Sequence, residues 1–241
     1  MGNLRTLARR CTLPLAAIAA ALSLSSCGGG DPYTGLWQGT VDGNQPAKAI
    51  LLSDGTYYLQ YLKYAGPNYA IGGVVKGSGS FQGATFKSDD GLDFKFGQRP
   101  GGARITGKLG GHQTVTGNMN GTPLSLKYTK PFDPHGVLAD LAGTYPGQVT
   151  FALGLRETTF EVTKDGTLST SLNGCSITGK VVPRPDDAFD LTIRFGGSPC
   201  VFPGAVFSGA AIYSEDLKQL EAAVVSDVYW QAITFVARRG S

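Results

Sequence analysis

Polar and apolar side chains alternate along much of this chain with a period of two. Asp93-Phe94-Lys95-Phe96 and Leu124-Ser125-Leu126-Lys127-Tyr128 do so in the first half. Thr159-Phe160-Glu161-Val162-Thr163, Phe189-Asp190-Leu191-Thr192-Ile193 and residues 229–236 do so in the second. Alternation places apolar residues on one face of a pleated strand, which predicts half-buried antiparallel strands. Residues 56–62, rich in Tyr and Leu, join the set. Asp54-Gly55 and Asp165-Gly166 predict hairpin turns, because glycine accepts the positive φ such a turn needs. Turn signals recur about every 8 to 12 residues, the cadence of a barrel or sandwich. Two segments lean toward helix. Residues 136–141 have room for one turn only. Residues 217–226 contain Leu-Lys-Gln-Leu-Glu-Ala-Ala, but Val224-Val225-Ser226-Asp227 and the aromatics after it predict a strand and hairpin.

The pattern occurs twice. Gly35-Leu36-Trp37-Gln38-Gly39 returns as Gly143-Thr144-Tyr145-Pro146-Gly147, and Asp54-Gly55-Thr56 as Asp165-Gly166-Thr167. Asp89-Asp90-Gly91-Leu92-Asp93-Phe94 returns as Asp186-Asp187-Ala188-Phe189-Asp190-Leu191. Three matches in one order indicate an internal duplication. Between the copies, Thr129-Lys130-Pro131-Phe132-Asp133-Pro134-His135-Gly136 has the prolines and glycine of a linker. The expected architecture is all-β: two tandem small antiparallel β-barrel or sandwich modules, over 35–128 and 141–241, joined by a linker over 129–140. Glycine and proline, 35 and 13 residues, suit many turns, and 41% hydrophobic residues exclude a disordered chain.

The start of the chain reads as an address. Arg5, Arg9 and Arg10 precede an apolar segment over 13–24, too short for a bilayer core of about 20 residues but suited to a secretory signal. Leu24-Ser25-Ser26-Cys27 resembles the lipobox of bacterial lipoproteins. That resemblance implies a signal peptide over 1–26 cut before Cys27, lipid on the Cys27 sulfur and new amino group, and a lipidated tether over 27–34. Gly28 stands where an Asp would favour the inner membrane, so the resemblance points to the outer membrane. The 21 Lys+Arg exceed the 18 Asp+Glu by three, the number of arginines in the signal. The mature chain is thus balanced and has no dense basic cluster along the sequence, so no electrostatic footprint is expected for nucleic acid or for anionic lipid. Cys11 leaves with the signal and Cys27 takes lipid. Cys175 and Cys200 remain, an even pair that reads as a disulfide in an exported protein.

Gly-x-Trp-x-Gly followed by an Asp-Gly-Thr hairpin is similar to calycin-like and other meander barrels. The residues Gly35, Leu36, Trp37, Gly39, Thr40 and Asp54-Gly55-Thr56-Tyr57 look most like uncharacterised Gram-negative lipoproteins whose mature parts open Gly-Leu-Trp-x-Gly-Thr. That resemblance transfers no active residues. The later signature motifs of true lipocalins are absent, so no lipocalin ligand is implied.

Candidate chemistry is sparse. His112 and His135 both sit in turn-like sequence, without a Gly-x-Ser-x-Gly elbow or clustered metal ligands. Gly77-Ser78-Gly79-Ser80-Phe81-Gln82-Gly83 leads into a strand rather than a helix, so it predicts a β-turn and not a phosphate cradle. The two acidic motifs lack the glycine-containing calcium loop and predict solvated turns whose third Asp points outward. Tyr57, Tyr58, Tyr61, Tyr64 and Tyr69 suit either a binding surface or alternate core and girdle positions. The expectation is a non-enzymatic binding or interaction module, anchored to the membrane by lipid at Cys27, without catalytic residues, metal or cofactor. Its ligand or partner is unknown. A structural spacer or a small hydrolase are the alternatives.

Overall fold

The computed structural model describes residues 32–65, 68–95, 98–133, 138–151 and 154–240, the side chains of 64, 65 and 68–71 excepted. The expected signal peptide, Cys27, the expected tether up to residue 31 and His135 lie outside the described residues. Two closed eight-stranded antiparallel barrels follow one another. The first contains β1 (Gly35–Val41), β2 (Gln45–Leu51), β3 (Thr56–Ala65), β4 (Asn68–Ser78), β5 (Ser80–Gln82), β6 (Thr85–Lys95), β7 (Gly101–Gly110), β8 (Thr114–Met119) and β9 (Thr122–Lys130). It closes where β1 pairs with β9, and β4 pairs with β6 past the small β5 hairpin. The second is an uninterrupted meander of β10 (Gly143–Phe151), β11 (Gly154–Val162), β12 (Thr167–Leu172), β13 (Cys175–Pro183), β14 (Phe189–Phe195), β15 (Val206–Ser214), β16 (Gln219–Ser226) and β17 (Gln231–Arg238), closed by β10 on β17. Among the described residues, the helical pieces are 3-10 turns at Gly111–Gln113 and Leu138–Leu141, and no helix is long and apolar enough to cross a membrane.

The repeated residues carry the same tasks in both barrels. Trp37 donates from its indole nitrogen to the Tyr33 carbonyl at 3.0 Å, and Tyr145 from its hydroxyl to the Leu141 carbonyl at 2.8 Å. Each aromatic therefore pins the segment four residues upstream across the floor of its barrel. Gly39 and Gly147 sit where the first strand meets the last. A Cβ there would lie 1.9 Å from the Ser125 carbonyl oxygen or 2.4 Å from Ala237, so these two positions close the barrels. Gly55 and Gly166 adopt φ of 84° and 80° in their hairpin turns.

Strand β16 explains its own helix-like sequence. Its Ala222-Ala223-Val224-Val225 run is buried on both faces, and so reads as continuous apolar residues instead of an alternation. Ala222 and Val224 fill barrel 2, whereas Ala223 and Val225 face barrel 1. The strand expected over 229–236 starts two residues later. Residues 227–230 make the β16–β17 turn, with Trp230 at φ 51°.

The outer faces join the barrels. Leu36, Ile50, Tyr58, Val74 and Phe94 of the first pack with Ala210, Ile212, Ala223, Val225 and Ala232 of the second in a hydrophobic core of their own. Polar staples frame this seam. Arg184 pairs with Asp54 at 2.8 Å, the Ser53 amide donates to Asp186 at 2.7 Å, and Lys48 pairs with Glu221. Successive meander turns alternate between the two barrel ends, which fixes the relative sense of the barrels. Ser53, Asp54, Arg184 and Asp186 lie in turns at the end where β1 begins, the tether end. Arg99 of the β6–β7 turn stacks over Trp230 at 3.9 Å at the opposite, far end.

Candidate functional site

The barrel interiors are filled by their own side chains. Barrel 1 keeps a cavity of about 40 Å³ among Trp37, Leu51, Leu59, Phe86, Ile105 and Leu126, and barrel 2 one of about 20 Å³. A dry cavity that accepts benzene measures about 150 Å³, so neither interior holds an organic ligand as it stands. Tyr57 lines the larger cavity, and its hydroxyl is engaged with Ser88 Oγ at 2.9 Å, while burial pushes it up to about 12. Tyr33, Trp37 and Phe81 then block the tether-end mouth, with Tyr33 and Phe81 ring centres 4.5 Å apart.

The paired acidic motifs part company. Asp93 was expected to point outward, and it does not. A bulge in the pairing of β6 with β7 between Ser88 and Gly91 shifts the alternation. Asp93 consequently enters barrel 1, 6% exposed, and accepts from the Tyr61 hydroxyl at 3.0 Å. Burial pushes its carboxyl up despite Tyr61 and Lys95, while burial and the Asp93 charge raise Tyr61. In the second copy Asp190 does point outward and meets Arg184 at 2.8 Å. Asp186 is buried beside the same guanidinium at 3.3 Å. Burial pushes Asp186 up, but the Ser53 amide and Arg184 outweigh it and hold it below the ordinary carboxylate range. Among the described residues, no group of three or more His, Cys, Asp or Glu side chains is placed to hold a metal ion.

The remaining sequence candidates are scattered. His112 is exposed on the turn between β7 and β8. The glycine run forms the end of β4 and the β5 hairpin, with Gly83 at φ 60°. Tyr57 and Tyr61 belong to the core of barrel 1, and Tyr58 belongs to the seam. The side chains of Tyr64 and Tyr69 lie outside the description. Cys175 and Cys200 form a disulfide that ties the start of β13 to the β14–β15 loop at the far end. Two residues that matter carry only a faint signal in the sequence: Arg184, a lone cation two residues before an acidic pair, and Trp230, an aromatic where a turn residue belongs. The chain matches no protein family and no curated protein sequence.

Proposed function

We propose that this chain is a lipid-anchored cell-envelope protein, held in the outer membrane through Cys27, that works without catalysis as an interaction module. The observation that carries this reading is the pair of filled barrels welded along an apolar seam. Such a body presents outer surfaces for contact, and neither barrel interior among the described residues offers a cup for an organic ligand. Its apolar residues lie inside the barrels and in the seam, with charged and polar side chains on most of the outside. A barrel that crosses lipid has the reverse arrangement, so membrane attachment falls to the acyl chains on Cys27. Membrane fractionation of Cys27→Ala tests the anchor: the variant is expected in the soluble fraction, and unchanged membrane association overturns the reading. Turnover of an ester, peptide or glycoside substrate lost in His112→Ala would overturn the non-catalytic assignment.

A further inference from the structure

The far end of barrel 2 exposes a group of apolar side chains. Six of the ten large hydrophobic residues exposed on the described surface sit there: Leu155, Val201, Val206, Val228, Tyr229 and Trp230. A single exposed valine is ordinary, but a cluster at one rim marks an interaction site. Val228, at the tip of the β16–β17 turn, is 82% exposed. Trp230 keeps a φ of 51°, which strains a bulky residue and suits glycine or asparagine. The tip is braced from below. Tyr229 packs on Phe202 at 5.6 Å and donates to the Pro203 carbonyl at 3.2 Å, and Phe202 rests on Phe195 and Phe207.

Charge at this end has a sign. Lys63, Arg99 and Arg104 of the adjoining end of barrel 1 and Arg156 and Arg194 of barrel 2 stand exposed in turns and strand halves, against Asp42, Glu157 and Asp227, while Lys95 is paired with Asp93. Arg99 places its cation directly on the Trp230 ring. Tyrosine and tryptophan settle at the headgroup level of a bilayer, an apolar tip reaches the acyl boundary, and lysine and arginine meet anionic headgroups. We infer that the far rim of barrel 2 docks on an anionic lipid surface belonging to a second membrane, opposite the one that holds the tether.

The choice of a second membrane rests on the lipid-anchor reading. Tyr33 is packed at the tether end, and the five residue-to-residue steps from Cys27 to Pro32 span at most about 18 Å. Barrel strands of this length, tilted for closure, stand about 20 Å tall. The rim therefore faces away from the anchoring bilayer.

Fluorescence tests this directly. The chain has two tryptophans, and Trp37 is 3% exposed inside barrel 1, so lipid-dependent emission reports Trp230; Trp230→Phe supplies the blank. The protein purified from membranes is reconstituted in phosphatidylcholine donor vesicles and mixed with acceptor vesicles bearing brominated acyl chains. Phosphatidylglycerol–phosphatidylethanolamine acceptors are expected to blue-shift and quench Trp230, and phosphatidylcholine acceptors to leave it unchanged. Val228→Asp is expected to abolish the quenching, and Arg99→Gln or Arg156→Gln to weaken acceptor affinity about fivefold each. Equal quenching by both acceptors overturns anionic recognition. Quenching by bromine placed in the donor vesicles instead overturns the second membrane. No quenching anywhere overturns the proposal whole and leaves the rim to a protein partner. Flotation with the donors reads the anchor separately, so a protein that fails to float but is quenched by anionic acceptors refutes the Cys27 reading and still supports lipid docking by the rim.

Discussion

Asp93 and Asp190 occupy matching places in two copies of one motif, yet one enters barrel 1 beneath Tyr61 and the other reaches out to Arg184. Asp54 and Asp165 diverge in the same way from matching hairpin turns. Asp165 holds Lys180 of its own barrel at 2.9 Å, whereas Asp54 crosses to Arg184 of the other. What the two barrels keep in common are the Trp37/Tyr145 pin, the Gly39/Gly147 closure and the Asp-Gly turns. What differs is how each outer surface is used. A repeat thus preserves the parts that make a barrel close, while carboxylates and outward residues are free to join the barrels or to serve an end of the body.

Breaking the seam should have the largest effect. Ala210→Arg places a charge without a partner where Ala210 is 0% exposed, and should cost about 3–5 kcal/mol. Calorimetry should then resolve separate transitions for the two barrels; a single transition at the original temperature would mean that the seam couples nothing. Removing the disulfide by Cys175→Ser with Cys200→Ser opens a loop of 25 residues and should cost about 3 kcal/mol, confined to barrel 2. Chemical denaturation followed through Trp37 and Trp230 separately reports which barrel is affected.

The charge staples should give smaller effects of opposite sign. Arg184→Met strands Asp186, whose side chain is 4% exposed, and should cost about 2 kcal/mol. Asp186 is held low in the folded protein, so its contribution exists above the unfolded carboxyl value of about 3.9 and fades as pH falls through the lower folded value. Thermal melts of wild type and Arg184→Met should therefore converge as the pH drops below about 4. Asp93 behaves inversely, because burial raises it: its contribution is complete below about 3.9 and is lost as pH rises through the higher folded value. Asp93→Asn keeps an acceptor for Tyr61 and should raise the melting temperature at pH 7, with the gain gone near pH 3. A loss at pH 7 would show that Lys95, 3.4 Å away, outweighs burial.

Much of the frame was legible in the residues. Alternation along β14, with Phe189, Leu191, Ile193 and Phe195 inward, is complete enough to reveal an antiparallel strand with one buried face. The duplication was legible because barrel closure demands specific residues: a Cβ cannot fit at Gly39 or Gly147, whatever surrounds them. The orientation of Asp93 was not legible, since a bulge inserts residues into one strand without altering composition. Nor was the rim of Val228, Tyr229 and Trp230. A short apolar run looks the same whether it starts a strand or crowns a turn.

The residues alone therefore determined the local matters: strand or turn, the double meander, the pairing of Cys175 with Cys200. These follow from period, backbone freedom and the count of thiols, which are properties of neighbours along the chain. Tertiary structure decided that two closed barrels stand side by side, that Asp54 and Arg184 meet 130 residues apart, and that one end collects the exposed aromatics and excess cations. Those outcomes depend on which outward faces meet, and outward faces of separate barrels have no spacing along the sequence to betray them.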